Sequence, residues 1–447
     1  MSTRREEVFR AFDEHRDYMN DRISSGIENN RKGWIEIAVE DKDGTPVKDA
    51  HIHMVQKTHD FKYGANLFML DEFNEPERCQ MYREYFKGAF NLATLPFYWS
   101  DLEPEEGKPR FAKDSPKVYR RPAPDLCLEF CKESGIEPKA HCIAYDYWVP
   151  RWLKDADTET IRRAYIRRME QLAEHYDGII PTWEVTNELL FHANDSSSSF
   201  RVQPGYIDWC YEMANRYFPK SHLMINDAHC NIWNCFNYDQ SSYYMQIENL
   251  LLKGARIEKI GMQYHMFCRR EDEAKQTAIY YNPRRLYDVM DYYARLGRPL
   301  QITELTIPAY SNDPEDEEIQ AEIIKNVYSM WFSHAAMEGI IYWNVVDGYA
   351  YTSTGTHGDM TAGENYYYGG LVRYDFTPKP AYRMIKDLFG KVWHTDTEAV
   401  TGENGHAEVK GFYGEYDVQI NANGRTFIVP MHLCKTGKRV ITVKVPD

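Results

Sequence analysis

The sequence of 447 residues contains no run of eighteen or more apolar residues, the length that a membrane-spanning helix needs. It has no block of basic residues either, and its formal net charge of −15 would repel a phosphate backbone. We therefore expect neither a membrane span nor a nucleic-acid partner. The 43% of hydrophobic residues is ordinary for a globular chain, so a packed core of domain size is expected.

A disulfide framework is also missing, because the nine cysteines are odd in number and scattered along the chain. The first residues lead into a charged helical pattern and lack the apolar segment of a signal peptide. Together these features predict reduced thiols and a cytoplasmic location, or a secreted protein if a signal peptide precedes this sequence.

Two pairs of potential metal ligands lack the further ligands that a metal site needs. Cys127 and Cys131 lie one helical turn apart, with no second Cys or His pair nearby. His51 and His53 share one face of a predicted strand, again without a cluster around them. We predict helix packing for the first pair and exposed strand positions for the second.

A glycine-rich phosphate loop is absent after the first strand, which argues against a doubly wound nucleotide-binding sheet. From residue 61 to 395 short apolar strands alternate with amphipathic helices, as in parallel strands joined by crossovers. Eight such units predict an α/β fold, the (β/α)₈ barrel. The predicted strands are 61–66, 90–95, 138–144, 179–186, 223–227, 257–265, 300–306 and 339–345.

The two ends of the chain follow a different pattern. Residues 1–30 are charged and helical, whereas 33–60 alternate with period two around an Asp-Gly pair, a strong hairpin signal. The tail, 396–447, alternates again and predicts antiparallel strands. We expect these strands to pair with the N-terminal hairpin (within residues 1–60) in a small β-rich accessory domain.

Two glutamates lie where a barrel places its chemistry. Glu188 directly follows the fourth predicted strand, and Glu304 lies at the end of the seventh. Active sites of such barrels lie at the C-terminal ends of the strands, where these two positions face each other. Two opposed carboxylates are the minimal equipment for glycosidic bond cleavage, one as proton donor and one as nucleophile. The residues alone leave a structural, salt-bridged pair as the alternative.

Polar and aromatic side chains end several other strands, which a purely structural explanation does not predict. Asn187, next to Glu188, is suited to hold a sugar 2-hydroxyl, and Trp343 offers a flat face for stacking on a sugar ring, although core packing explains a single Trp nearly as well. The remaining candidates for substrate binding are His141, Asn226, Gln263 and His265.

In the order of its motifs the sequence resembles glycoside hydrolase family 10, the retaining endo-β-1,4-xylanases. The matches are 183–188 to Trp-x-Val-x-Asn-Glu, 302–305 to Ile-Thr-Glu-Leu, 261–265 to Gly-x-Gln-x-His and 225–227 to Ile-Asn-Asp. The resemblance covers roughly residues 61–390. It implies that Glu188 is the general acid/base and Glu304 the nucleophile, supported by His265, with Asn187 and Gln263 in contact with substrate. No metal or organic cofactor is implied.

The sequence departs from the family after the second and third strands. The family's Glu-Asn-x-x-Lys, which binds sugars on the non-reducing side, is replaced by the apolar segment 95–100 with Trp99. Tyr145 and Asp146 stand where the family has Trp-His. We predict that Trp99 and Tyr145 contact substrate and that long unsubstituted xylan is a weak substrate. Alternatively, the aromatic segment packs beneath its loop and another segment supplies polar contacts.

The leading hypothesis is a retaining β-glycoside hydrolase that acts on xylan, xylo-oligosaccharides or related plant glycans by double displacement. One alternative is the same chemistry on another β-linked sugar, such as a glucoside or an arabinose-containing oligosaccharide. Another is a non-catalytic carbohydrate-binding barrel. The presence of both Glu188 and Glu304 argues against a binder, which has no need for two carboxylates across one bond.

Overall fold

The computed structural model of the chain describes residues 3–191 and 197–445. The strands are β1 (Lys32–Glu40), β2 (His51–His59), β3 (Lys62–Asn66), β4 (Leu92–Pro96), β5 (Glu137–His141), β6 (Thr182–Thr186), β7 (His222–Asp227), β8 (Lys259–His265), β9 (Leu300–Thr306), β10 (Met337–Tyr342), β11 (Asp396–Val400), β12 (His406–Phe412), β13 (Gly414–Ala422), β14 (Arg425–Leu433) and β15 (Val440–Lys444). The helices are α1 (Arg4–Glu14), α2 (Arg16–Asn30), α3 (Pro76–Ala89), α4 (Trp99–Leu102), α5 (Pro124–Ser134), α6 (Thr158–Tyr176), α7 (Tyr206–Tyr217), α8 (Ser242–Leu252), α9 (Glu273–Tyr280), α10 (Pro283–Ala294), α11 (Pro314–Ser333) and α12 (Pro380–Asp387).

Strands β3 to β10 close into a parallel barrel in the order β10-β3-β4-β5-β6-β7-β8-β9. These are the eight strands predicted from the sequence, so the (β/α)₈ fold is confirmed. The start of the fourth barrel strand, β6, differs by three residues from the prediction. Gly178 adopts a left-handed conformation with φ of +80°, and Ile179 is 59% exposed, so the chain turns before the strand begins.

The strand sequences account for the barrel interior and its helical cover. Every residue of β4 and β9 is buried, as expected for parallel strands with side chains inside and helices outside. The helices begin at recognisable signals: Asp157 accepts a 2.8 Å hydrogen bond from the N–H of Thr160 at the start of α6, and Pro124 opens α5. One contiguous hydrophobic core joins the barrel to these helices.

The strands near the two termini form two further sheets, ordered β12-β1-β15 and β11-β2-β13-β14. Apolar side chains from both sheets, among them Ile37, Met54 and Val418, form a second hydrophobic core that is separate from the barrel core. The β-rich unit built from N- and C-terminal segments is therefore present as predicted.

The predicted hairpin within residues 33–60 is wrong. β1 pairs with β12 and β15, whereas β2 pairs with β11 and β13. The turn between them does form, since the Asp41 carboxylate accepts a 2.8 Å hydrogen bond from the N–H of Thr45. The chain then crosses to the opposite sheet. Alternation of apolar residues specifies which strand face is buried, and both strands bury that face in the same core without pairing with each other.

The N-terminal helices pack against the outside of the barrel. α1 contacts α9 and α2 contacts α11, and the charged segment 1–30 is divided at His15. Arg4 anchors α1 through ion pairs of 2.8 Å to Glu273 and to Asp316. None of the helices in the described ranges is long and apolar enough to cross a membrane.

The residue pairs that resembled metal ligands have ordinary structural roles. Cys127 and Cys131 are buried on α5, and all nine cysteines are free thiols. His51 is exposed, and His53 Nε2 lies 2.6 Å from Asp396 Oδ1 on the neighbouring strand β11.

Candidate active site

The C-terminal ends of the barrel strands surround a cleft of about 680 Å³. A volume of this size accommodates a ligand as large as a short oligosaccharide. Eight of the ten residues predicted for the site line this cleft: His141, Tyr145, Asn187, Glu188, Gln263, His265, Glu304 and Trp343. They come from five barrel strands or the loops that follow them, as expected for this fold.

The prediction that Trp99 contacts substrate is wrong. Its side chain is 3% exposed and packs against Trp152 and Tyr165. Its indole N–H donates a 2.8 Å hydrogen bond to Glu103, which satisfies the polar end of the ring inside the core. Helix α4 begins at Trp99, and its turn directs this ring inward, whereas the preceding Tyr98 lines the cleft.

Asn226 also lies outside the cleft lining, fully buried beneath it, so its predicted substrate contact is wrong. The Thr303 hydroxyl donates to Asn226 Oδ1 at 2.6 Å, which directs the amide nitrogen to Glu304 Oε1 at 3.1 Å and Asn187 Oδ1 at 2.8 Å. Gly261 leaves space for this arrangement, since a Cβ there would lie 2.6 Å from Asn226 Oδ1. Asn226 is therefore a positioning residue.

A single amide group joins the two candidate catalytic carboxylates. Gln263 Nε2 lies 3.0 Å from Glu188 Oε1 and 3.0 Å from Glu304 Oε1. Two oxygens bonded to one nitrogen are separated by at most the sum of those distances, so Oε1 of Glu188 and Oε1 of Glu304 lie within about 6 Å of each other. The structure thus places Glu188 and Glu304 opposite each other across the cleft.

Glu304 is 3% exposed and accepts hydrogen bonds from three nitrogen donors, those of Asn226, Gln263 and His265. Burial is the main cause that raises the pKa of Glu304, and the carboxylates of Glu184 and Glu188 raise it further, although His141 acts in the opposite direction.

His265 lies beside Glu304 as a neutral imidazole. Burial lowers the pKa of His265 to about 4, so the ring is uncharged at neutral pH. A carboxylate can only accept, so the proton resides on Nε2, which donates to Glu304 Oε2 at 3.2 Å. Nδ1 then accepts from the Thr306 hydroxyl at 3.0 Å.

Glu188 is held by its backbone and by its neighbours. Its φ of +54° is a left-handed conformation that is unusual outside glycine, and such backbone strain clusters at functional sites. Asp227 fixes the turn by accepting hydrogen bonds from the N–H groups of Leu189 and Leu190, at 3.0 and 3.2 Å. The Tyr145 hydroxyl donates to Glu188 Oε2 at 2.5 Å. The end of strand β6 therefore directs a carboxylate into the cleft.

A buried ion-pair network beneath Glu304 was missed in the sequence analysis. The Glu184 carboxylate accepts from the Lys139 ammonium group and, at 2.5 Å, from His141 Nδ1. Burial opposes its charge, but Lys139 and His141 hold the pKa of Glu184 well below its usual range. Burial likewise opposes a charge on His141, yet Glu184 raises the pKa of His141, which lies 3.9 Å from Glu304. Because Lys139 already neutralises Glu184, we interpret this cluster as charge support for Glu304.

Replacing Lys139 by methionine is expected to lower the free energy of unfolding by about 3–5 kcal/mol, because it leaves the Glu184 carboxylate buried without its main partner. Urea denaturation measures this change. The matched control is Lys113→Met, whose ion pair with Glu129 is largely exposed and should contribute less than about 1 kcal/mol. Equal losses for the two variants would show that the buried network does not stabilise the barrel.

Part of the cleft is lined by residues that have no recognisable signal in the sequence. Arg120 and Arg121, from the loop between α4 and α5, lie there with Trp148, Tyr351 and Glu364. They supply charged groups close to where Glu-Asn-x-x-Lys was expected but is absent. This agrees with the alternative in which the aromatic segment packs inward and another segment provides polar contacts.

Comparison with known proteins decides the family. Residues 73–388, more than half of the chain, match the family model described as glycosyl hydrolase family 10. The chain belongs to glycosyl hydrolase family 10. The resemblance drawn from the motifs is thus confirmed, and the matched residues include both Glu188 and Glu304.

Curated relatives of this family 10 chain have low sequence identity. The anti-sigma-I factor RsgI6 of Acetivibrio thermocellus is 24% identical over 412 residues, which cover 91% of this chain and 47% of that protein. Endo-1,4-beta-xylanase B of Neocallimastix patriciarum is 22% identical over 61% of this chain and 29% of its own length. The chain thus spans about half of the first relative and less than a third of the second. Beta-1,4-xylanase of Dictyoglomus thermophilum is 24% identical over 62% of this chain and 82% of its own length.

Solved xylanases share the fold. Xylanase 10B from Thermotoga maritima has a TM-score of 0.57 at 20% identity and covers 74% of this chain and 96% of its own. Xylanase 10B from Thermotoga petrophila RKU-1, in complex with xylobiose, has a TM-score of 0.57 at 21% identity and covers 74% and 95%. At these identities the likeness establishes the barrel fold of the family 10 chain.

Proposed function

We propose that this chain is a retaining β-glycoside hydrolase that cleaves β-linked xylan, xylo-oligosaccharides or related plant glycans by double displacement. The shared hydrogen bond from Gln263 to Glu188 and Glu304 is the observation that carries this proposal. Carboxyl groups are about 5–5.5 Å apart in retaining glycosidases and about 6.5–9.5 Å apart in inverting ones. The Gln263 amide brings one oxygen of each carboxyl group within about 6 Å of the other, a spacing that favours the retaining arrangement.

In the first step the ionised Glu304 attacks the anomeric carbon. An ester bond forms to Glu304 while the glycosidic C–O bond breaks, and Glu188 gives its proton to the leaving oxygen. Three N–H donors converge on Glu304, whereas Glu188 receives one N–H and the Tyr145 hydroxyl. The N–H donors stabilise the ionised form of Glu304, which is the form that attacks the anomeric carbon.

In the second step a water molecule replaces the departed sugar. Glu188, now ionised, takes a proton from this water as its oxygen attacks the anomeric carbon, and the ester bond to Glu304 breaks. Both carboxyl groups return to their starting states. The neutral His265 and the amides of Asn226 and Gln263 remain bonded to Glu304 and keep it in line with the anomeric carbon.

An aryl β-glycoside panel combined with covalent trapping tests this proposal. We expect turnover of aryl β-xylosides and xylobiosides, and we expect a 2-deoxy-2-fluoro analogue with a good leaving group to inactivate the protein. The fluorine slows both steps, but the good leaving group restores the rate of the first step only, so the ester accumulates. Peptide mass spectrometry should find the sugar on Glu304. The control is Glu338, at the opposite end of the barrel, where no sugar should be found.

The outcomes of this panel test the reaction mechanism and the identity of the preferred sugar separately. Faster turnover of β-glucosides than of β-xylosides, with the label on Glu304, would retain the double displacement and replace the substrate. Failure to turn over or trap any β-glycoside would contradict the proposed hydrolase and favour a carbohydrate-binding barrel.

A further inference from the structure

Five residues of the cleft lining form one connected group, which we call the blind end because we interpret it as a wall across the cleft: Arg120, Arg121, Trp148, Tyr351 and Glu364. These residues lie on loops that follow the second, third and eighth barrel strands, β4, β5 and β10. In an open groove such loops would stand apart and let a polymer chain pass between them.

The loops of the blind end are joined by direct contacts. The Trp148 ring centroid lies 6.2 Å from that of Tyr351 and 4.9 Å from that of Tyr98, both in edge-to-face geometry. Arg120 donates a 3.2 Å hydrogen bond to Asn344 Oδ1 and a further one to the carbonyl oxygen of Tyr349. The loop after the second barrel strand is thus bonded to the loop after the eighth, and the loop after the third packs on both.

The two arginines of the blind end are buried. Arg120 and Arg121 are only 5% and 6% exposed, although arginine is mostly exposed in proteins unless it is paired. Arg121 is covered by Tyr98, whose ring centroid lies 3.8 Å from the guanidinium carbon. Phe191, which also lines the cleft, is 48% exposed, so the cleft is open to solvent near this residue.

The blind end also offers unused hydrogen-bonding groups to a ligand. Arg120 Nε is buried and has no partner among the described residues, which is costly unless a ligand completes it. Glu364 Oε2 accepts from Asn344 at 2.9 Å, and its carboxylate also lines the cleft. A donor and an acceptor together at a closed end match the neighbouring hydroxyl groups of a terminal sugar.

We propose that the blind end binds the terminal sugar of a chain, so that this protein cleaves short units from a chain end instead of cutting within the chain. The inference deepens the proposed function and rests on it. An internal segment cannot bind productively, because its next sugar would have to pass through the contact between Trp148 and Tyr351.

Linear soluble xylan tests the wild-type protein. For each new reducing end, viscosity should fall far less than expected for random cutting, and chromatography of the earliest products should show one short oligosaccharide size beside nearly full-length polymer. Early products of all lengths, with a steep fall in viscosity, would overturn the inference but leave the proposed hydrolase intact. No hydrolysis of xylan or of any aryl β-glycoside would overturn both.

Removing the contact between Trp148 and Tyr351 should change the sizes of the products. Tyr351→Ala is expected to raise the share of mid-chain products severalfold, and Trp148→Ala serves as a second variant if the first does not fold. The matched control is Tyr366→Ala on the same loop, since Tyr366 packs near Tyr310 and Arg269, outside the cleft lining. A product pattern that stays unchanged in folded wall variants would overturn the inference.

Discussion

Replacing Glu304 by alanine should reduce hydrolysis of β-glycosides by about 10⁴-fold or more, whatever the leaving group, because the ester can no longer form. The loss should appear in kcat/KM for both activated aryl glycosides and oligosaccharides. Glu338→Ala should change the rate little, since Glu338 lies at the start of strand β10 and outside the cleft lining.

Added azide should restore turnover of activated substrates by the Glu304→Ala variant. The anion enters the space of the lost carboxylate and displaces the leaving group once, so the product should be the α-glycosyl azide. Unchanged hydrolysis, or rescue that gives only the β-glycosyl azide, would remove Glu304 from the nucleophile role.

Replacing Glu188 by alanine should have an effect that depends on the leaving group. Oligosaccharides, whose leaving oxygen needs a proton, should lose about 10²–10⁴-fold in rate from the missing general acid. Aryl glycosides with good leaving groups should still form the ester on Glu304 and then stall, because no base activates water. A burst of one equivalent of phenol per protein, followed by slow turnover, is the expected kinetic result.

The azide product distinguishes the Glu188→Ala variant from the Glu304→Ala variant. It should attack the ester from the side that Glu188 vacates and give the β-glycosyl azide, the product of two displacements. Tyr145→Phe is a useful companion, because it removes only the hydroxyl that bonds Glu188 and keeps the carboxylate. Equal losses on good and poor leaving groups in Glu188→Ala, without azide rescue, would count against the general acid/base assignment.

The barrel could be predicted from the sequence because each of its strands is indicated by the residues of one short segment. Short runs such as 300–306 are apolar, are bounded by helical patterns and recur eight times, which is enough to indicate parallel strands joined by crossovers. The pairing of β1 and β2 could not be predicted in the same way. Alternation shows that Ile37 and Met54 face a core, but the partner of each strand depends on segments about 370 residues away.

The centre of the site could be predicted because polar side chains at strand ends converge in a barrel. The buried ion-pair network beneath the site was harder to predict. Lys139 and His141 lie two residues apart on β5, as do Glu184 and Thr186 on β6. Polar residues at every second position, between apolar ones, indicate that the barrel interior is polar at this level. Which buried charges would pair required the register between the two strands.

The blind end of the cleft had no comparable signal in the sequence. Arg120 and Arg121 lie in a long loop, and nothing in their local sequence shows that they turn into the barrel mouth. The prediction for Trp99 was wrong for a different reason. Trp99 follows the second barrel strand closely in the chain, as site residues do, but the turn of helix α4 places its ring in the core. Side-chain direction within loops depends on tertiary packing, which a single sequence does not specify.

The stereochemistry of the first-formed product tests double displacement most directly. Proton NMR of the anomeric signal, recorded within the first minutes of hydrolysis of a β-linked substrate, separates the two possible anomers before they interconvert. Attack by Glu304 followed by water activated by Glu188 inverts the anomeric carbon twice, so the account predicts the β-anomer first. Initial appearance of the α-anomer would mean a single displacement by water, and would contradict the role given to Glu304.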